Sequence, residues 1–389
     1  MRRPESVIAQ FVGTLVVLCS ISGSASAQYE WKPGFQWPGG NGLNGISVDV
    51  LTVFDDGSGP ALFAGGAFDM AGSQRARQIA KWSGTDWTPL GNGMNDFVFA
   101  LAGFDDGGGP ALYAGGAFTT AGDEIISRIA KWDGATWTSV GGGTFGGVLA
   151  LTTFDDGTGQ ALYAAGAFSL AGGVPVNNIA KWDGNAWSPL GSGLNGRVYA
   201  LSVFDDGSGP ALYAGGLFTT AGGNTAFNIA RWDGATWTPL STELGQGTND
   251  LVRTLAVFND GAGPALYAGG PFVTAGGISA SRIAKWNGAT WDHLGSGVNS
   301  TVFGLTVFDD GNGPGLYAGG QFVVAGGMQA NRIAKWDGMS WSALNSGTDS
   351  FVFSLKQFDD GTGLSLYVGG DFTTAGGVAS NHIAKWASQ

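Results

Sequence analysis

Short apolar runs alternate with turn-forming residues along most of the chain. Beyond the first 27 residues, the runs are four to seven residues long, rich in Val, Phe, Tyr, Trp and Thr, and bounded by Gly, Pro, Asp or Asn. Val198–Phe204, for example, is followed by the turn Asp205–Pro210 and by a second run, Ala211–Gly216. Runs of this kind predict β-strands joined by tight turns. Because no stretch has the apolar period of an amphipathic helix, the pattern predicts an all-β protein.

The same pattern occurs seven times. A Phe-(Asp/Asn)-Asp-Gly segment recurs every 50 residues, apart from one step of 54. The phenylalanines that head it are Phe54, Phe104, Phe154, Phe204, Phe258, Phe308 and Phe358. Each repeat has four apolar runs, and a sheet of four short strands buries its faces only when several sheets pack around an axis. The repeats therefore predict one domain over 28–389, a seven-bladed β-propeller with four antiparallel strands per blade.

The two ends of the chain are predicted to close the ring within one blade. The last repeat stops at Ile383–Trp386, after its third strand, whereas Phe35–Pro38 near the N-terminus is similar to the outer-strand segment Ala186–Pro189. We therefore predict that Phe35–Pro38 is the outer strand of blade seven. Trp37 then completes the seventh pair of tryptophans, and Trp31 is left over. The paired tryptophans are predicted to lie in the core between blades, since large aromatic side chains dominate burial.

The repeats resemble those of Kelch-type propellers, in which a glycine pair ends the second strand and aromatic residues mark the later strands. Gly215-Gly216 is one such pair, and blade three departs with Ala165-Gly166. The spacing of the two tryptophans in a repeat also departs by one residue from the usual Kelch pattern. The longer segment Leu212–Gly234 is similar to repeats of secreted bacterial propeller proteins and of the ectodomain of fungal cortical polarity-marker proteins. The resemblance implies the architecture and nothing about the chemistry.

The first 27 residues have the organisation of a secretory signal peptide. They have a charged end at Arg2-Arg3, an apolar stretch over 11–21, and small residues at Ala25-Ser26-Ala27 before a predicted cleavage at Gln28. The apolar stretch is about half of the ~20 residues that span a bilayer. We therefore expect a chain that is secreted or held at the cell surface, or periplasmic if the organism is Gram-negative, with no transmembrane segment after cleavage.

Composition narrows the chemistry of the exported chain. The only cysteine, Cys19, lies in the predicted signal peptide, so the rest of the chain has no thiol for a disulfide, a thiolate metal site or a nucleophile. A net charge of -12 argues against nucleic acid as a partner. We expect a monomer.

Aspartates are concentrated in two turns of each repeat. In a propeller the chain runs from the innermost to the outermost strand, so the first-to-second and third-to-fourth turns share one face, here called the aspartate face. Crowded carboxylates offer the hard oxygen ligands of calcium. The alternative is that they accept hydrogen bonds from turn amides and pair with one lysine per blade. The candidate calcium ligands are Asp55, Asp56, Asp105, Asp106, Asp155, Asp156, Asp205, Asp206, Asp260, Asp309, Asp310, Asp359 and Asp360.

The opposite face, here called the asparagine face, has the longer connections. A polar residue recurs before most inner strands, and three residues near the central channel break the uniformity of the blades at one position. Amides with an aromatic ring and an ion pair could orient a sugar or a peptide, whereas the alternative is that the asparagines serve turn geometry. The candidate ligand-binding residues are Asn44, Asp49, Asn95, Asn195, Tyr199, Asn249, Arg253, Asn299 and Asp349.

Three classes of function stay open. Catalysis requires an asymmetric group of side chains in mutual reach, and nearly equal blades with only two histidines show no such group. The sequence therefore favours a secreted, non-enzymatic binding scaffold for a glycan, a peptide or a protein. The alternatives are a carbohydrate-active hydrolase or lyase and a calcium-bridged structural surface protein. The acid/base pair of such an enzyme would come from residues that differ between blades: Asp49, Asp123, Glu124 or Glu243.

Overall fold

The computed structural model describes residues 28–389 and confirms the seven-bladed β-propeller. Each blade is an antiparallel sheet with four main strands, which follow one another along the chain in blades one to six. The first strand of every blade contacts the first strands of both neighbouring blades, and blade seven contacts blade one, so the innermost strands surround a central channel. No helix within 28–389 has the length and apolar character needed to cross a membrane.

The four strand positions repeat with nearly constant bounds. The innermost strands are Leu43–Asp55, Val98–Asp105, Thr144–Asp155, Arg197–Asp205, Thr254–Asn259, Val302–Asp309 and Val352–Asp359. The second strands are Pro60–Ala71, Pro110–Gly116, Gln160–Ala171, Pro210–Leu217, Pro264–Gly269, Pro314–Gly320 and Leu364–Gly370. The third strands are Ile79–Trp82, Ile129–Trp132, Ile179–Trp182, Ile229–Trp232, Ile283–Trp286, Ile333–Trp336 and Ile383–Ser388. The outer strands are Trp87–Pro89, Trp137–Ser139, Trp187–Pro189, Trp237–Pro239, Trp291–His293, Trp341–Ala343 and Tyr29–Lys32.

Two-residue strands form small hairpins between the second and third strands. In blades one and three, Gln74–Arg75 and Val174–Pro175 pair with the end of the long second strand. The hairpins of the other blades are Thr120–Ala121 with Glu124–Ile125, Thr220–Ala221 with Asn224–Thr225, Thr274–Ala275 with Ile278–Ser279, Val324–Ala325 with Met328–Gln329, and Thr374–Ala375 with Val378–Ala379. One more hairpin, Ser241–Thr242 with Gly245–Gln246, follows blade four.

The ring closes in blade seven, but the strand predicted to close it was wrong. Tyr29–Lys32 pairs with Ile383–Ser388, and Trp31 lies opposite Trp386. Trp31 therefore holds the position that we assigned to Trp37, which is half-buried in the connection that follows.

The error has a cause that is visible in the sequence. Counting back from the match at Gly42–Gly45 reaches Gln36, one residue before Trp37, but the segment that follows the closing strand is five residues longer than its counterparts. Trp31-Lys32-Pro33 has the Trp-x-Pro order of Trp87-Thr88-Pro89, which is the signal for the correct strand. The longer segment is anchored by Phe35, which is buried with its ring centre 5.4 Å from that of Trp82.

The core consists of seven apolar layers, one between each pair of neighbouring blades. Between blades three and four, Phe154 and Tyr163 pack in one cluster with Leu212, Trp232 and Trp237. The two tryptophans of each blade are buried, with ring centres 5.1 to 5.5 Å apart. This confirms the prediction that the tryptophan pairs form the core between blades, with Trp31 in place of Trp37 in blade seven.

Candidate functional site

Each Asp-Asp turn on the aspartate face gives its two side chains different partners. Asp155 accepts hydrogen bonds from the amides of Gly157 and Gly159 at 2.9 and 3.0 Å. Asp156 pairs with Lys181 at 2.6 Å and accepts a bond from the Tyr163 hydroxyl at 2.8 Å. The same ion pair occurs in every blade, and the basic partners are Lys81, Lys131, Lys181, Arg231, Lys285, Lys335 and Lys385.

The turns between the third and outer strands lie on the same face, as predicted. A Cβ atom added at Gly184 would lie 2.8 Å from the carbonyl oxygen of Asp106 in the preceding blade. Close approach of this kind and a φ of 100° both favour glycine at this position.

The contacts of the aspartate face keep the second aspartate of each turn, such as Asp156, ionised. Burial raises the pKa of Asp156, but hydrogen bonds from Lys181, Thr158 and Tyr163 outweigh that effect and bring the pKa to about 2. Within 28–389, no three His, Cys, Asp or Glu side chains are grouped so that they could hold a metal ion. The candidate calcium ligands thus have protein partners in this structure, and calcium binding stays the alternative to their role in the turns.

The candidate asparagines support loop backbone on the opposite face. The Oδ1 atom of Asn195 accepts hydrogen bonds from the amides of Thr219 and Thr220 at 2.8 and 2.9 Å. Equivalent bonds to backbone amides are accepted by Asn44, Asn95, Asn249, Asn299 and Asp349. These side chains position the loops around the channel, and none of them lines the cavity at its mouth.

Asp49, Tyr199 and Arg253 belong to a ring of seven residues at the mouth of the channel, here called the mouth ring. One residue from each blade lines a cavity of about 280 Å³. The mouth ring consists of Asp49, Phe99, Leu149, Tyr199, Arg253, Phe303 and Phe353. The structure thus brings together three of the residues singled out in the sequence and adds four apolar ones.

The four apolar members were missed although the sequence has a signal for them. Each member of the mouth ring directly follows a valine that recurs in all seven repeats, as Phe99 follows Val98 and Arg253 follows Val252. The signal identifies equivalent positions, but not the direction of the side chain.

A β-bulge directs six of these side chains towards the channel. The pairing of the first two strands of blade four shifts between Val198 and Ala200, so Tyr199 is the extra residue. The same shift occurs at the mouth-ring positions of blades one, two, three, six and seven. An extra residue bends a strand and redirects its side chain. In blade five, Arg253 directly precedes the strand, and its amide donates to the carbonyl oxygen of Gly269 at 2.8 Å.

Arg253 lies between the aromatic rings of the two neighbouring blades. Its guanidinium carbon is 4.8 Å from the centre of the Tyr199 ring and 5.9 Å from that of Phe303. Of the eight ion pairs found within 28–389, none includes Arg253. Burial between the surrounding blades lowers the pKa of Arg253, although its side chain is exposed to the channel. A guanidinium remains protonated in proteins, so Arg253 is a cation without a carboxylate partner.

Asp49 is the only acidic member of the mouth ring. Its Oδ1 atom accepts a hydrogen bond from the Ser47 hydroxyl at 3.1 Å, while its buried Oδ2 atom has no hydrogen-bond partner in the part of the chain described. Burial raises the pKa of Asp49 to about 6, although Ser47 and Arg253 act in the opposite direction. Asp49 and Arg253 line one cavity without forming the ion pair that the sequence suggested.

The innermost strands continue the wall of the channel next to the mouth ring. A second cavity, of about 230 Å³, shares every member of the mouth ring except Asp49 with the first and is otherwise lined by the next two residues of the innermost strands. Its walls include small residues such as Ala100 and Ala150. They also include six equivalent leucines: Leu101, Leu151, Leu201, Leu255, Leu305 and Leu355. These leucines also pack into the apolar layers between blades, so the entrance combines two opposite charges with a wall that belongs to the core of the ring.

The residues suggested as an acid/base pair are distributed over different places. Asp123 and Glu124 line a groove of about 590 Å³ beside Trp137, on the outer strand of blade two. Glu243 lies in the extra hairpin that follows blade four. None of these three lines the mouth cavity with Asp49.

Comparison with known proteins identifies the fold and no family. No protein-family model and no curated protein sequence matches the chain. Among solved structures, the extracellular domain of the putative hybrid two component system BT4673 from B. thetaiotaomicron matches with a TM-score of 0.55, at 11% identity over 92% of this chain. A second structure of a BT4673 extracellular domain, described as a putative one component system, has a TM-score of 0.54 at 10% identity and the same coverage.

A third match is BBS1N in complex with ARL6DN, with a TM-score of 0.51 at 10% identity over 92% of this chain and 97% of that one. The chain spans only 39 to 40% of the two BT4673 chains. Identities this low show the propeller fold alone, and the Kelch-like character of the repeats stays a resemblance.

Proposed function

We propose that this protein is a secreted binding scaffold that holds its ligand at the channel mouth. The observation that carries the proposal is the mouth ring, in which Asp49 and Arg253 stand where the other five blades have apolar or aromatic side chains. A partly buried charge without a partner costs stability, since it loses water and gains no opposite charge. Asp49 is such a charge, and Arg253 at the equivalent position is an exposed cation without a carboxylate partner, so both are explained if a ligand supplies the partners.

Two further observations support an extracellular role. The N-terminal segment has the pattern of a signal peptide, which lies outside the described residues. Two structural neighbours are extracellular domains of a protein described as a one- or two-component system. The ligand classes that the sequence left open, a glycan, a peptide or a protein, must each present a small group to a mouth of this size.

Thermal unfolding with a panel of defined compounds tests the proposal. The panel contains oligosaccharides, short peptides and free amino acids, and is applied to wild type, Arg253→Gln and the control Arg197→Gln. Arg197 is exposed two residues before Tyr199, and it does not line the mouth cavity.

We expect at least one compound to raise the melting temperature of wild type and Arg197→Gln by a few degrees, because a ligand bound only by the folded state stabilises it. The shift should disappear in Arg253→Gln. A shift that survives in Arg253→Gln, or a panel without any shift, would contradict the proposal.

A further inference from the structure

We propose that a groove at the outer edge of blade two binds an extended peptide that carries basic and apolar side chains. The groove, here called the rim groove, has a volume of about 590 Å³ and is lined by residues of the small hairpin over 120–125 and of the outer strand Trp137–Ser139. Its volume lies within the usual range of ligand pockets, about 300–1,000 Å³. None of the residues that line it belongs to the mouth ring, so this inference goes beyond the proposed function and does not depend on it.

The rim groove lies where blade two lacks an apolar contact that other blades make. In blades three and five, Val174 and Ile278 of the small hairpin pack against the cluster that contains the tryptophan pair of the blade. The equivalent residue of blade two is Glu124, which is exposed. The tryptophan pair of blade two, Trp132 and Trp137, lines the rim groove without such a cover. An apolar side chain of a ligand can take the place that Val174 and Ile278 occupy in their blades.

The hairpin of blade two also stands away from its outer strand. In blades one and three to six, the second strand of the small hairpin packs beside the outer strand. In blade two, Glu124–Ile125 lies less close to Trp137–Ser139, and the Ile125 side chain is 87% exposed. The hairpin and the outer strand therefore form two separate walls with a space between them.

The charge of the rim groove favours a basic ligand. Among the described residues that line it, Asp123 and Glu124 are acidic and none is basic. Asp123 accepts a hydrogen bond of 2.8 Å from the Nδ2 atom of Asn92. Glu124 takes part in none of the eight ion pairs found within 28–389. A lysine or arginine of the ligand can thus pair with Glu124 without breaking a bond of the protein.

The backbone of the outer strand supplies the third contact. Trp137–Ser139 pairs with Ile129–Trp132 on one side only, and its other side is a free edge. Thr138 and Ser139 are exposed and line the rim groove. An extended peptide that adds to a free edge gains main-chain hydrogen bonds, while neighbouring pockets select its side chains. Every outer strand has such an edge, and blade two combines it with open space and negative charge.

Fluorescence anisotropy with labelled hexapeptides tests the proposal. The peptides alternate Lys or Arg with Val, Leu or Phe, and we expect at least one of them to bind wild type saturably. Replacing its basic residues with Glu should weaken binding roughly tenfold or more, because the groove repels carboxylates. Methylating its backbone nitrogens should weaken binding to a similar extent, roughly tenfold, because the main-chain donors are lost.

Two variants of Glu124 separate the apolar contact from the charge. Glu124→Val gives blade two the residue of blade three, which fills the space and removes the charge, so binding should fall roughly tenfold or more. Glu124→Gln removes the charge alone, and loss of an exposed ion pair should weaken binding roughly two- to fivefold. Asn224→Val makes the same replacement at the equivalent exposed position of blade four and should bind as wild type does. Circular dichroism verifies folding, and Glu124→Gln carries the test if Glu124→Val does not fold.

The remaining outcomes overturn the proposal. If no peptide binds, or if Glu124→Val and Glu124→Gln both bind as tightly as wild type, the rim groove is not a peptide site. If the methylated peptide binds as tightly as the unmethylated one, the groove holds an organic cation without strand addition, and the peptide ligand is wrong. Arg253→Gln should leave binding at the rim groove unchanged. A peptide that loses binding in Arg253→Gln and keeps it in Glu124→Val binds at the channel mouth, so this inference fails while the proposed function stands.

Discussion

The indole nitrogen of Trp31 donates a hydrogen bond of 3.3 Å to the carbonyl oxygen of Leu344. The bond joins the N-terminal strand, which completes blade seven, to the end of blade six. Trp137 makes the equivalent bond of 2.9 Å to Leu90 of the preceding blade. The strand that closes the ring therefore reproduces a contact used between other blades.

Trp31→Ala should destabilise the protein far more than Trp37→Ala. Removing a buried tryptophan leaves a cavity and costs about 3–5 kcal/mol, and here it also opens the ring. Trp37 is half-buried outside the tryptophan pair, so we expect a loss of roughly 1 kcal/mol. Urea unfolding followed by tryptophan fluorescence measures both. Equal losses would mean that Trp37 shares in closing the ring.

Acid should weaken the fold through the aspartate–lysine pairs. The folded pKa of Asp156 is about 2, below its ordinary value of 3.8. Its ionised form therefore stabilises the protein above about pH 4, and this contribution is lost as the pH falls towards about 2. Lys181→Met should lower the free energy of unfolding by about 2 kcal/mol at pH 7 and by less at pH 3.

Lys32→Met is the matched control for Lys181→Met. Lys32 pairs with Glu30 at 3.0 Å, with side chains 26% and 44% exposed, so we expect a change below about 0.5 kcal/mol. The interpretation of the aspartate face is wrong if both lysine variants lose the same stability.

Asp49→Asn should stabilise the protein at alkaline pH. The folded pKa of Asp49 is raised from 3.8 to about 6, so ionisation of this group disfavours the folded state. Burial is the main cause, and of the charged groups around it Arg253 favours ionisation and Asp371 opposes it. The cost is complete above about pH 6 and disappears below about pH 4.

We expect Asp49→Asn to gain about 2 kcal/mol in the free energy of unfolding at pH 8 and almost nothing at pH 4. Urea titrations at both pH values measure the difference, with exposed Asp123→Asn as the control. A gain in stability together with weaker ligand binding is the expected signature of a residue kept for function. A loss at pH 8 would show that the unpaired carboxylate is satisfied within the protein.

Calcium should not stabilise residues 28–389. In each turn the second aspartate, such as Asp156, is bound by a basic side chain, and the residue before it, such as Asp155, is bound by turn amides. A calcium ion would have to break these bonds. We expect the melting temperature in 1 mM calcium to equal that in a chelator within about one degree. A rise of several degrees would restore the calcium site and support a calcium-bridged structural protein.

The exported chain should begin at Gln28. The predicted signal peptide lies outside the described residues, and the first strand of the propeller begins at Tyr29. Intact-mass measurement of the protein secreted by a host cell tests the cleavage site. A mass that includes residues 1–27 would show that the segment is retained.

The sequence by itself determined the number of blades, the order of the strands and the core. These features follow from local information: the length of an apolar run, the Asp-Gly turns that end it, and a period of about 50 residues. The tryptophan pairs were predicted as core because every repeat has both members. The same reasoning placed Asp49, Tyr199 and Arg253 at one equivalent position, and all three line the mouth cavity.

Only the tertiary structure decided which segment closes the ring and where the mouth-ring side chains point. Both depend on the register between strands. Trp31 closes the ring because it pairs with Trp386, more than 350 residues away. Tyr199 points to the channel because its strand shifts by one residue against the second strand. Nothing in a linear pattern specifies such a shift, because it moves a side chain from one direction to another without changing the order of apolar and polar residues. The separation of the Asp49 and Arg253 charges likewise depends on the width of a channel that seven packed blades set together.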